Sequence, residues 1–362
     1  MKTLKVELGE RSYPIYVSRG IISVIGKIFK DLGCSQKCLM ITDKTVGGLY
    51  GGMVQSSLTE CGFFIHTVII EDGEASKSLS VAEKIYGKAL GCGLDRNSII
   101  VALGGGVVGD LAGFIASTYM RGIPYVQVPT SLLAQVDSSV GGKVAVNYQQ
   151  VKNLIGAFYQ PAAVLIDPMA LDSLPAREFK SGMAEVIKYG AIWDPGLFAV
   201  LEKQVHDVLN LDPDIIENMV LRSCEIKAEV VSADEREKGL RSILNFGHSF
   251  GHAVEVLGGL NILKHGESVA VGMCMAARTA HLMGSLSKED AERIVSIVTS
   301  YGLPTRPPFE INPNSLQEIM LKDKKNRGKK TALVLPEMIG KVNLVFFSQE
   351  ELEPLLRSVC LL

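Results

Sequence analysis

The segment 97–143, NSIIVALGGGVVGDLAGFIASTYMRGIPYVQVPTSLLAQVDSSVGGK, constrains the chain more than any other. Its apolar run 99–103 reads as a buried strand. Gly104, Gly105, Gly106 and Gly109 follow, then Asp110 and an apolar helix-like segment to Met120. A second strand, 125–128, ends at Pro129 and leads into Thr130, Ser131, Asp137, Gly141, Gly142 and Lys143. Strand, glycine turn, helix and strand in this order call for the parallel sheet of an α/β fold. Gly104-x-Gly106-x-x-Gly109 matches the dinucleotide turn, where glycines let a pyrophosphate approach the backbone and the helix N-terminus favours its charge. The next strand ends without the acidic residue a ribose would use, and the turn follows several earlier strands rather than the first. A nucleotide or phosphate role is still favoured over a plain glycine turn. A carboxylate beside a phosphate cradle repels it, so Asp110 is expected to face another part of the ligand.

The alternation extends in both directions. Residues 1–20 read as a hairpin around Gly9-Glu10-Arg11, 21–32 as a helix, 37–42 as a strand ending at Asp43, 48–61 as a helix and 64–70 as a strand. Asp72-Gly73-Glu74 forms a turn before a helix to Leu90, and 161–167 is the last strand of this half. Parallel sheets bind ligands at the carboxyl ends of their strands, where Asp43, Glu74, Lys77 and the glycine turn fall. Asp43 also suits a helix N-cap, and Glu74 with Lys77 a solvated i,i+3 pair. From Leu174 the periodicity turns helical, over 175–193, 214–234, 243–258, 267–283 and 288–301; only 331–335 and 342–347 look extended. The expected architecture is an α/β domain, Rossmann-like with a mostly parallel sheet, over 1–173, and a mostly α-helical domain over 174–362.

Composition excludes several classes. Thirty-seven basic against 39 acidic residues give a net charge of −2, which offers no nucleic-acid surface. The longest apolar runs are broken well before the length that spans a membrane, and residues 1–17 alternate like a strand pair rather than a secretory signal. The seven cysteines (34, 38, 61, 92, 224, 274 and 360) are scattered, odd in number and without CxxC, as expected of reduced thiols in a cytoplasmic enzyme.

The second half carries the chemistry. Glu185 and Lys188 stand at i,i+3 inside an apolar helix, a pattern that a snorkelling ion pair would also give. His248 and His252 stand at i,i+4, the spacing that brings two imidazoles to one cation, and His265-Gly266-Glu267 opens a further helix. Two or three imidazoles with one carboxylate make an open catalytic zinc site. The alternative is a capping histidine and two polar core residues. The spacing leaves open whether His252 is a ligand or an acid–base group; His66, His206 and His281 have no such company. Lys143, Lys152, Lys188, Lys227 and Arg241, with Asn153 and Asn245, suit an anionic substrate bearing carboxylate or phosphate. The basic run 323–330 reads as a solvated turn or as a segment that closes over a phosphate.

Eight segments then carry a resemblance over essentially the full length: DGEASK (72–77), GGGVVGDLAGFIASTYMRG (104–122), VQVPTSLLAQVDSSVGGK (126–143), KNLIGAFYQP (152–161), SLPAREFKSGMAEVIKYG (173–190), LRSILNFGHSFGHAVE (240–255), HGESVAVGM (265–273) and DKK (323–325). The chain resembles the 3-dehydroquinate synthase family of sugar-phosphate cyclases. The resemblance implies an NAD-binding first domain, a metal- and substrate-binding second domain, Zn²⁺ or Co²⁺, and a homodimer. It assigns the metal to Glu185, His248 and His265, which makes His252 a substrate-side group. It assigns NAD to Asp43 and to the segment Asp72, Gly73, Glu74 and Lys77. The glycine turn (Gly105, Gly106, Val107, Val108, Gly109 and Asp110), Thr130, Ser131 and Ser173 join that set. Serine at 131 and 173 replaces the family's usual threonine and keeps the hydroxyl. Lys143 and Lys152 are shared between cofactor and substrate. Catalytic roles fall to His252, Lys188, Asp137, Lys143 and Asn245. Arg121, Lys152, Asn153, Lys227, Arg241 and Lys325 of the Lys324–Lys325 pair fall where the family holds substrate, with Arg121 reaching across the dimer.

The implied reaction converts 3-deoxy-D-arabino-heptulosonate 7-phosphate to 3-dehydroquinate and phosphate. Its steps are transient oxidation by NAD, β-elimination of phosphate, re-reduction, ring opening and intramolecular aldol closure. A metal- and NAD-dependent polyol dehydrogenase would have no need of Lys143, Lys152 and Arg241. A cyclase making an inosose or a valiolone would have no carboxylate for Arg241 and Lys227. A non-enzymatic NAD-binding regulator would have no need of a metal triad.

Overall fold

The computed structural model describes residues 1–33, 35–149, 151–259, 262–321 and 330–361. The chain forms two compact units, Met1–Leu174 with Ile216–Arg236, and Pro175–Ile215 with Glu237–Leu362. The first unit is built on strands β1 (Lys2–Val6), β2 (Tyr13–Val17), β3 (Lys37–Asp43), β4 (Phe64–Ile70), β5 (Ile99–Gly104), β6 (Tyr125–Pro129), β7 (Lys143–Tyr148), β8 (Val151–Phe158) and β9 (Ala163–Ile166). Seven of them form one sheet in the order β1-β2-β9-β6-β5-β3-β4. β1 runs antiparallel to β2, and every other neighbouring pair is parallel. The expected mostly parallel α/β architecture is therefore present, with the N-terminal hairpin as its antiparallel margin.

Period-2 patterning explains how the sheet is covered on both faces. Leu39, Ile41, Ile100 and Ala102 face one core, with helices Leu79–Gly91 and Gly106–Thr118 and with Val144 and Val146 of β7. Cys38, Met40, Ile99, Val101 and Leu103 face the other, with helices Ile25–Asp31 and Gly52–Glu60. Every residue of β5 is buried, as in a central parallel strand, so truncating Leu103 to alanine should cost about 2–5 kcal/mol. β7 and β8 form a separate antiparallel hairpin, Lys143↔Phe158 to Tyr148↔Val151, where the sequence showed only a polar loop up to Lys143. All but one residue of β8 is exposed, so its apolar and polar residues do not sort onto two faces.

The second unit is mainly helical, with one antiparallel pair, Thr331–Met338 and Lys341–Phe347. Helix His265–Leu282 lies at its centre and packs against helices Ala176–Ile192, His248–Gly258, Lys288–Ser300 and Gln349–Leu361. Its small residues set the spacing. A methyl group on Gly266 would lie 1.8 Å from the Ser181 carbonyl oxygen, and one on Gly272 would lie 1.9 Å from that of Gly247. The six described cysteines are free thiols, and burial pushes Cys224 and Cys274 up to about 12. No helix among the described residues is long and apolar enough to cross a membrane.

Candidate active site

Three helices of the second unit bring Glu185, His248 and His265 together. Glu185 is fully buried near the middle of Ala176–Ile192, and the two histidines open His248–Gly258 and His265–Leu282. Gly247, at φ 78°, turns the chain so that His248 starts its helix, and the Gly266 amide donates to Ser181 Oγ at 3.1 Å beside His265. Glu185 Oε1 stands 3.5 Å from His248 Nε2 and 3.6 Å from His265 Nε2, and one ligand atom from each of the three lies within 4.8 Å of the others. Metal–ligand bonds of about 2.0–2.2 Å give a tetrahedron with edges of about 3.3–3.6 Å, which these separations match. His248 Nδ1 lies 3.1 Å from the Phe246 carbonyl oxygen, so Nδ1–H donates and Nε2 keeps its lone pair for a cation. Lys188, also buried, pairs with Glu185 Oε2, which leaves Oε1 turned to the imidazoles. Donor set and spacing thus fit a divalent cation. The His252 ring lies 5.5 Å from His248 and 6.1 Å from His265 between centroids, beside the cluster and outside its ligand set. Arg241 is almost fully buried in the turn Leu240–Asn245, and Asn245 donates to Glu237 Oε1.

The first unit gathers most of the expected cofactor residues at the carboxyl edge of its sheet, since Asp43↔Ile70 and Gly104↔Pro129 are register pairs of parallel strands. Asp43 caps a short helix through the Val46 amide at 2.7 Å; burial pushes its carboxyl up, and that amide opposes the shift. Asp72 Oδ2 accepts from Thr45 Oγ1 at 2.6 Å, and Gly73, at φ 95°, makes the turn into Glu74. Gly105 is the N-cap of Gly106–Thr118, so the amides of Gly106, Val107 and Val108 have no acceptor within their own helix. A methyl on Gly104 would meet Val108 Cγ2 at 2.7 Å, and one on Gly109 would meet Gln127 Oε1 at 2.5 Å. Packing therefore accounts for those two glycines. Gly105 and Gly106 would meet only serine hydroxyls, Ser131 Oγ at 3.4 Å and Ser138 Oγ at 3.1 Å. The two glycines least required by packing are those at the mouth of the turn, as close approach of a pyrophosphate demands. Thr130 is buried and its amide donates to the Gly104 carbonyl; Ser173 Oγ lies 2.8 Å from Tyr50 Oη.

Asp110 is turned to Lys77, a nearly buried side chain that also donates to Asn153 Oδ1. Burial pushes Asp110 up, and the Lys77 ammonium opposes the shift. Lys227 donates to both the main-chain oxygen and Oδ1 of Asp137, at 2.6 and 2.7 Å. Lys143 and Lys152 are exposed on β7 and β8. Arg121 lies in a run of left-handed residues, Met120 (φ 50°), Arg121 (φ 70°) and Gly122 (φ 123°). Lys325 lies outside the described residues. Asn147, absent from the expected site residues, contacts both the 72–77 turn and Asn153. Its one signal is a polar residue at the end of an apolar run.

The fold and the His–His–Glu cluster define an α/β enzyme with a candidate metal centre in a helical unit. Residues 67–181 match the description "3-dehydroquinate synthase N-terminal" and 182–326 "3-dehydroquinate synthase C-terminal". The chain is 50% identical to a 3-dehydroquinate synthase of Desulforamulus reducens, over 95% of this chain and 96% of that one. With the enzyme of that name from Thermodesulfovibrio yellowstonii it is 49% identical, over 99% of this chain and 100% of the other. The chain belongs to the 3-dehydroquinate synthase family. A solved 2-epi-5-epi-valiolone synthase from Streptomyces hygroscopicus subsp. jinggangensis, with NAD⁺ and Zn²⁺ bound, superposes with a TM-score of 0.88 at 29% identity over 98% of each chain. A 2-deoxy-scyllo-inosose synthase complexed with carbaglucose-6-phosphate, NAD⁺ and Co²⁺ gives 0.88 at 26% identity, over 99% of this chain and all of the other.

Proposed function

We propose that the protein is a 3-dehydroquinate synthase, a carbon–oxygen lyase that converts 3-deoxy-D-arabino-heptulosonate 7-phosphate to 3-dehydroquinate and phosphate, with NAD and Zn²⁺ or Co²⁺. The observation that carries this is identity near 50% to enzymes of that name over nearly the whole chain. In this reading 1–173 is the NAD-binding domain and 174–362 the metal- and substrate-binding domain, apart from 216–236, which packs with the first unit. The protein works as a cytoplasmic homodimer in the route to chorismate and the aromatic amino acids.

Glu185, His248 and His265 hold the cation, and the 72–77 turn, the Gly105–Asp110 segment, Asp43, Thr130, Ser131 and Ser173 hold the dinucleotide. Bound there, the cation supplies Lewis acidity to a substrate hydroxyl and NAD a reversible hydride acceptor. Lys143, Lys152, Asn153 and Arg121 of the second protomer hold the phosphate, which orients it as the leaving group and leaves its own oxygen to take the eliminated proton. Arg241, Lys227 and Lys325 hold the rest of the anionic substrate, the carboxylate lying on Arg241 and Lys227. Lys188, through Glu185, steadies the metal-facing carboxylate. His252 exchanges a proton with the substrate beside the metal, and Asp137 with Asn245 positions the sugar. Holding one substrate through several steps makes orientation the main contribution of these side chains.

The sugar-phosphate cyclases of the same fold are the second reading. Against them stands the identity, near 50% to 3-dehydroquinate synthases but 29% and 26% to the solved valiolone and inosose synthases. The test is identification of the product by NMR after incubation with the heptulosonate phosphate, NAD and zinc. 3-Dehydroquinate is expected; an untouched heptulosonate phosphate alongside turnover of another sugar phosphate would reassign the substrate.

A further inference from the structure

Asn147 ends the apolar run of β7, and three hydrogen bonds converge on it. Its amide nitrogen Nδ2 donates to Glu74 Oε1 at 2.8 Å. Its Oδ1 accepts from the Asn153 backbone N–H at 2.9 Å. Its own N–H donates to the Lys77 carbonyl at 2.8 Å, and it makes a parallel bridge with Ser78. Lys77 in turn donates to Asn153 Oδ1 and pairs with Asp110. Asn153 sits at φ 53°, a left-handed conformation that costs a non-glycine residue free energy and persists where its surroundings fix it. The Asn147 carboxamide supplies that fixation, and its opposite end fixes the direction of the Glu74 carboxylate. A carboxamide is the group this place requires, because it must donate to a carboxylate and accept from an amide at once.

We infer that Asn147 is a positioning residue: it locks the Glu74 carboxylate and the Asn153 backbone into one array with Lys77 and Asp110. The inference rests on the reading of the 72–77 turn as a nicotinamide-dinucleotide site. Without Asn147, Glu74 loses its fixed direction and Asn153 its left-handed backbone.

The test is NAD affinity of the zinc-loaded dimer by titration calorimetry, with the thermal unfolding midpoint of each variant measured in parallel. Asn147→Ala should weaken NAD about 10-fold, the effect of losing one hydrogen bond to a charged acceptor. Asn147→Asp keeps the acceptor for Asn153 but sets a carboxylate against Glu74, and should weaken NAD by more. Glu74→Gln together with Asn147→Asp restores a donor–acceptor pair with the roles exchanged. The double variant should therefore bind NAD more tightly than the two single losses combined, by about 10-fold. A merely structural role would not produce that rescue. Unchanged NAD affinity in Asn147→Ala, or strictly additive losses in the cycle, overturns the inference. A wild-type protein that binds no NAD overturns the reading of the site itself, which separates the two failures.

Discussion

Replacing Gly272 by alanine sets two opposite effects against each other. In a helix interior the change alone favours the folded state by about 0.5–1 kcal/mol, because glycine has more backbone freedom to lose. At 272 the new methyl would lie 1.9 Å from the Gly247 carbonyl oxygen and 2.7 Å from the Gly251 nitrogen, both backbone atoms. A carbon and a carbonyl oxygen rest at about 3.3–3.5 Å, so helices His248–Gly258 and His265–Leu282 must part by over ~1 Å at this point. Overpacking of this kind costs about 1–3 kcal/mol, which exceeds the helix gain. The same shift moves His248 from His265, and a site that tolerates about 0.5 Å loses its geometry. We expect Gly272→Ala to lower the unfolding midpoint by up to roughly 10 °C, from a net cost of up to about 2.5 kcal/mol and ~2–4 °C per kcal/mol for a domain of about 150–250 residues. Zinc affinity should fall by at least about 10-fold. The control is Gly87→Ala in helix Leu79–Gly91, where an added methyl meets nothing within 4 Å and should stabilise by about 0.5–1 kcal/mol. Calorimetric scans and competition with a zinc-binding dye read both effects. Stabilisation at 272 like that at 87, with zinc affinity intact, would refute the close-approach argument.

Other expectations concern the cluster and its support. His252→Ala should retain zinc at wild-type stoichiometry while slowing phosphate release about 10²-fold or more; zinc lost in that variant would return His252 to the ligand set. Zinc at a hundredfold excess over its Kd should stabilise the protein by about 2.7 kcal/mol, and Glu185→Gln should abolish that gain in a thermal scan. The Glu267 carboxyl is partly buried, which raises its pKa, but the bidentate Arg177 contacts at 2.7 and 2.8 Å and the Lys264 amide hold it below the usual range. A depressed carboxyl contributes stability above its unfolded pKa and loses it as pH falls through the folded value. Arg177→Ala should therefore lower stability at pH 7, and the difference from wild type should shrink below about pH 4.5 in urea melts.

Much of this fold is visible in the sequence because burial leaves a period. The central strand reads as an unbroken apolar run, since both its faces are covered, and helix His265–Leu282 reads as helical with small residues where neighbours approach. The i,i+4 pair His248 and His252 marked the cluster, and Glu185 stood out as a carboxylate in an apolar helix. Periodicity could not say which imidazoles share a centre, because that depends on how His265 on another helix meets them. The β7–β8 hairpin left no clean pattern, its second strand being exposed on both faces. Asn147 carried only the faint signal of a polar residue after an apolar run, since its partners come from segments 73 and 6 residues away. Helix Pro213–Ala233 has ordinary helical spacing, and nothing in it signals that 216–236 packs with the first unit.

A 3-dehydroquinate synthase uses and regenerates NAD in each turnover. The most direct test follows phosphate release from 3-deoxy-D-arabino-heptulosonate 7-phosphate with zinc and a small, known amount of NAD, while recording NADH absorbance in parallel. Phosphate in large excess over the NAD supplied, with no net NADH, is expected. NADH accumulating in step with substrate consumed, and no phosphate, would contradict it and make the protein a dehydrogenase.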